Sequence, residues 1–83
     1  MFMTNNNSKQ QQEILLMINH IVRELIVEFG KDENEAMELV KNSQVEKSLA
    51  ENPIGFHESA YDWAISVLAD NNDIETLERH LHH

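Results

Sequence analysis

The sequence predicts an all-α fold, a compact helical bundle of one long N-terminal helix and about four shorter helices. Three observations predict it. The run from Ile14 to Phe29 is the longest apolar stretch, and its apolar residues recur at helical spacing. Beyond it, a capping residue followed one turn later by an acidic one recurs at Asp32/Glu35, Ser43/Glu46, Ser59/Asp62 and Asn72/Glu75. Nowhere does apolar–polar alternation persist between hairpin turns, so no strand competes.

The first helix carries two adjacent rows, Leu15, Val22, Ile26, Phe29 and Ile14, Ile18, Ile21, Leu25, with Leu16, Met17 and Val27 beyond them. A surface helix needs an apolar stripe of only about 100°. This one is wider, so either its own chain wraps it on several sides or a partner meets its second face. A membrane span needs roughly 20 apolar residues, and Asn19, His20, Arg23, Glu24 and Glu28 interrupt the run. The helix belongs to a soluble fold.

In chain order, residues 1–8 include Asn5-Asn6-Asn7, lack periodicity and read as a flexible arm, with Phe2 and Met3 able to dock should a groove exist. Residues 9–83 read as a single helical domain. The first helix is expected from about Lys9 through Phe29, with Gly30 at the left-handed terminating position. Asp32 caps a second helix running to about Lys41, with Ala36, Leu39 and Val40 inward and Met37 at the edge. Ser43 is expected to cap a third, which turns Val45 and Leu49 inward and closes before Pro53, a residue that pushes Asn52 off helical angles. Ile54 and Phe56 in the connector read as plugs for the end of the core. Ser59 caps a fourth helix whose stripe is Ala60, Trp63, Ala64, Val67 and Leu68. Tyr61 and Ile65 lie off that stripe and are candidates for an exposed contact. Asp70 to Asp73 break the helix, and Asn72 starts a last one with Ile74, Leu77 and Leu81 on one side.

Composition narrows the function classes. The 83 residues hold 15 Asp and Glu against 6 Lys and Arg, a net charge of −9. That balance opposes binding to nucleic-acid phosphates or to an anionic membrane surface. Glu24, Glu28, Glu33, Glu35 and Glu38, with Asp32, concentrate the charge. They read as a solvated face, or as an acidic patch offered to a basic protein partner. The chain has no cysteine, so disulfides and thiolate metal sites are absent. No leader pattern opens it, which sets the expectation of a cytoplasmic protein.

Chemistry-bearing residues are few. His80 and His83 stand one turn apart beside His82, and His20 pairs with Glu24 across one turn, but neither group specifies further ligands. His57, Glu58 and Ser59 adjoin at a helix start, where capping by Ser59 is the expected role. Gly30 and Gly55 are the only glycines, so no phosphate-cradling loop exists. No enzymatic activity, cofactor or metal site is expected.

From Glu35 to Ala64, an acidic-Ala helix start, Ser43 at the break, Leu49 before Pro53, then His57 and Trp63-Ala64 resemble small uncharacterised all-helical proteins of Gram-positive bacteria. The resemblance implies an all-helical fold and no particular activity. Asn71 through Leu81, with Gly55-Phe56 upstream, is similar to ubiquitin-associated-type three-helix domains. There the spacing departs by a couple of residues, and the first helix has no counterpart.

The function expected is therefore a small non-catalytic protein-interaction module, a homodimer formed through the first helix. Its candidate interface residues are Leu16, Met17, Val27, Tyr61 and Ile65. The alternatives are an acidic regulator or nucleic-acid mimic using the glutamate patch, and a metal-binding protein using surface histidines.

Overall fold

A computed structural model of the protein describes residues 3–81; Phe2, His82 and His83 lie outside them. The helices are α1 (Met3–Val27), α2 (Glu33–Asn42), α3 (Val45–Glu51), α4 (Ala60–Asp70) and α5 (Ile74–Leu81), with a 3₁₀ turn at Pro53–His57 between α3 and α4. No strand occurs among the described residues. The fold is the all-α bundle expected, with one long helix and four shorter ones.

The backbone of α1 is helical from Met3, ahead of the expected start near Lys9, and the helix ends just short of Phe29. Gly30 sets that end. At φ +73° it lets the Lys31 N–H reach back to the Leu25 carbonyl at 3.0 Å, which draws Phe29 into the turn and over the core. α2, α3 and α4 all pack on α1. The largest fully enclosed side chains are Ile21 and Leu25 from α1, Val45 and Leu49 from α3, and Val67 and Leu68 from α4, with Ala36 of α2 and Ala64 of α4 enclosed beside them. These short helices would be marginal alone, so their stability comes from packing on the long one.

Asp32 and Ser59 cap as expected. The Asp32 carboxylate accepts from the Glu35 N–H at 2.7 Å, and the Ser59 hydroxyl from the Asp62 N–H at 3.1 Å. The other two starts slip by one residue. Ser43 is helical (φ −84°, ψ −1°), and its hydroxyl donates back to the Leu39 carbonyl at 3.0 Å, so it closes α2 instead of capping α3. Gln44, left-handed at φ 56°, then precedes α3 without a side-chain cap. Asn72, at φ 61°, terminates α4, and Asp73 receives the Thr76 N–H at 3.4 Å. In both places the residue expected to open a helix is consumed in ending the one before it.

Three apolar assignments are corrected. Ile54 is 69% exposed; the end of the core is closed by buried Gly55 and half-buried Phe56. The Trp63 ring lies over Gly55, its Nε1–H donating to the Gly55 carbonyl at 2.8 Å, and takes the space Ile54 was expected to fill. On α5, Ile74 and Leu81 are exposed, while Thr76 is buried and Leu77 and His80 are half-buried. Tyr61 and Ile65 are half-buried against the core and not exposed contacts. Tyr61 is engaged inside the molecule: its hydroxyl shares a 2.7 Å hydrogen bond with His80 Nε2, and both rings pack on Phe29. That cluster sets the rotation of α5 and turns Ile74 outward.

The two helix-ending turns meet through an ion pair. Lys31, just after Gly30, places Nζ 2.7 Å from Asp73 and 3.4 Å from Glu35. Partial desolvation opposes both charges, but the direct contact outweighs it, holding Lys31 above the ordinary lysine range and Asp73 below the ordinary carboxylate range. The Asp73 contribution to stability is thus present above the ordinary carboxylate range and lost as pH falls through its lowered value. The Lys31 contribution is present below the ordinary lysine range and lost as pH rises through its raised value. Asp73→Asn keeps an oxygen for the cap and removes the charge. It is expected to cost about 1 kcal/mol at neutral pH and close to nothing near pH 2, read from urea midpoints. An equal cost at both pH values would show that the charge contributes nothing.

Candidate functional site

The wide apolar face of α1 is only partly covered. Ile14, Ile21 and Leu25 are buried, and Met17, Ile18, Val22 and Ile26 are half-buried. Leu15, Leu16 and Val27 remain 50, 56 and 66% exposed. Along one flank, α1, α2 and α3 enclose an open groove of about 690 Å³. Its floor is Ile18, Val22, Val40 and Val45, and its apolar edges are Leu15, Met37 and Ala50. Polar residues stand around it, among them Asn19 on α1 and Gln44 in the turn before α3.

The groove follows from local sequence. α2 and α3 are short and joined by the tight Ser43-Gln44 turn, so the chain bends away before a helix can cover Leu15 to Val22. Val40, Val45 and Ala50 are small, which leaves a recess where leucines would have filled it. The charged rim is ordered. Glu33 opens α2, Lys41 lies near its end, and Glu46 and Lys47 lie at the start of α3. None of these four makes an ion pair among the described residues.

No protein-family model, curated protein or solved structure matches the chain.

The residues singled out from sequence fall in several places. Leu16 and Val27 are exposed on the side of α1 away from the core, separated from the groove and from each other. Met17 packs partly against the core. Of the acidic residues, Glu33 borders the groove and Glu35 pairs with Lys31. Glu24 falls on the side of α1 opposite Leu15 by helical phase, and Glu28 lies in the turn beyond. Those carboxylates, with exposed Glu38, do not share one face. The groove residues Leu15, Val22 and Met37 were legible as apolar but assigned to the inner rows or an edge. The available signal was Ile14-Leu15-Leu16-Met17-Ile18, five consecutive apolar residues that cannot all face one core.

The chemistry-bearing side chains do not assemble. Ser59 is occupied as a cap, His57 and His20 are exposed, and His80 is bonded to Tyr61. Among the described residues, no three His, Asp or Glu side chains gather where a metal ion could be held. No helix among them is long and apolar enough to cross a membrane.

Proposed function

We propose that this chain is a small, non-catalytic, cytoplasmic protein-interaction module that self-associates through the uncovered face of α1. The groove carries the proposal. It is a recess with an apolar floor, edged by Leu15 and Met37 at 50 and 56% exposure, and bordered by unpaired charges. An apolar centre within a polar rim is the composition of a surface that another polypeptide covers. Burying the leucine and methionine would gain roughly 1–2 kcal/mol for each side chain, before the cost of association. The exposed Leu16 and Val27 stand singly, and scattered apolar residues of that kind are normal on any surface. The alternative of an acidic decoy would need a continuous band of free carboxylates, whereas Glu35 is engaged by Lys31.

The test is solution mass. Sedimentation velocity is expected to move from monomer to dimer as protein rises through about 10–50 μM, corresponding to a modest association free energy. A monomer at every concentration up to about 100 μM would remove the proposal.

A further inference from the structure

We infer that the groove is covered by a second copy of this chain, related by a two-fold axis through Met37, so that Glu33 of each copy faces Lys41 of the other. The inference rests on the self-association reading and adds its geometry. Glu33, Met37 and Lys41 occupy one stripe of α2 on successive turns, and all three border the groove. The stripe is negative at its start, apolar at its midpoint and positive at its end. The two charges lie about 12 Å apart along the helix.

A surface of that kind complements its own reversed image. Turned end for end, a second α2 sets Lys41 against Glu33 at both ends and Met37 against Met37 on the axis. A two-fold contact is self-complementary in just this way. A parallel placement would put Glu33 against Glu33 and Lys41 against Lys41. Two copies each carrying −9 repel one another overall, so unlike charges must meet locally if they are to associate. The rim supplies them: Lys41 and Lys47 are two of only six Lys and Arg in the chain, and both line the groove, as do Glu33 and Glu46. Opposed α2 helices also bring unlike ends of their dipoles together. Met37, the exposed residue at the midpoint, is the side chain such an axis would bury.

Charge reversal tests the arrangement. Glu33→Lys alone and Lys41→Glu alone each create two repulsive contacts per dimer, and each is expected to weaken homodimerisation about tenfold. Mixed in equal amounts, the two variants restore both attractive contacts. They are expected to form the heterodimer, counted by native mass spectrometry, at close to the unmodified affinity. Circular dichroism of each variant establishes that α2 is intact. A second measurement does not depend on charge. The chain has no cysteine, so Met37→Cys under air oxidation is expected to form a disulfide-linked dimer, whereas Val27→Cys, more exposed at 66%, is expected to form no covalent cross-link on the same timescale.

The outcomes separate the two readings. An unmodified protein that never dimerises overturns the self-association reading and this geometry with it. A dimer that both reversals leave untouched keeps the reading and overturns the geometry. Weakened variants whose mixture recovers nothing, or preferential cross-linking through Val27→Cys, also overturn the two-fold arrangement.

Discussion

Leu49→Ala is expected to lower the free energy of unfolding by about 3 kcal/mol, in the lower part of the range for emptying a leucine site in a packed core. Leu49 is fully buried, and with Val45 it supplies the enclosed side chains of α3, a helix of only seven residues. It also forms one side of the seat for the 3₁₀ turn. A Cβ added at Gly55 would stand 2.8 Å from Trp63 Cζ2 and 3.1 Å from Leu49 Cδ2. The Trp63 ring is tethered by its own bond to the Gly55 carbonyl and cannot easily retreat. Gly55→Ala is therefore expected to cost about 2 kcal/mol by overpacking. The pair should be less than additive, because Leu49→Ala removes one of the two atoms the new methyl strikes. Denaturant unfolding of the two single variants and the double variant measures this directly. For a domain of this size the single Leu49 change should lower the melting temperature by about 12–24 °C. Strict additivity would mean that the turn and α3 do not share the contact.

Leu15→Glu combined with Met37→Glu is expected to weaken self-association at least about 100-fold, since burying an unpaired carboxylate is far costlier than the methylene area it replaces. Both positions are about half exposed, so the fold should lose no more than about 1 kcal/mol. Leu16→Glu with Val27→Glu is the control. Those residues are at least as exposed but lie away from the groove, so the pair should leave the solution mass unchanged. Sedimentation equilibrium of both variants decides which surface is used. Should the control pair dissolve the dimer and the groove pair leave it whole, the contact would belong to the face first suggested by Leu16 and Val27.

Much of the fold was legible because the signals that specify it are local. Asp32 and Ser59 announce helix starts through bonds that span one turn, Gly30 ends α1 by its own backbone freedom, and Pro53 restricts only its neighbour. The slipped starts at Ser43 and Asn72 show where locality fails. Each residue lies between two helices that both have use for it, and the end of the first prevailed, through the bond from Ser43 to Leu39 and the left-handed turn at Asn72. The site was less legible. Helical phase identifies an apolar row, but not whether another helix is close enough to cover it.

By itself, the sequence determined that the protein is helical, to within a few residues where the helices break, that Asp32 and Ser59 cap, and that α1 carries more apolar width than one stripe requires. Those properties depend on residues within a turn or two of one another. Tertiary structure alone decided which part of that width stays open, that Tyr61 is committed to His80 and Phe29, that Lys31 joins Asp73, and that Glu33, Met37 and Lys41 edge one recess. The reason is distance along the chain. Contacts between far-separated residues depend on how rigid helices come to rest against one another, and that is set by summed packing, with no single residue announcing it.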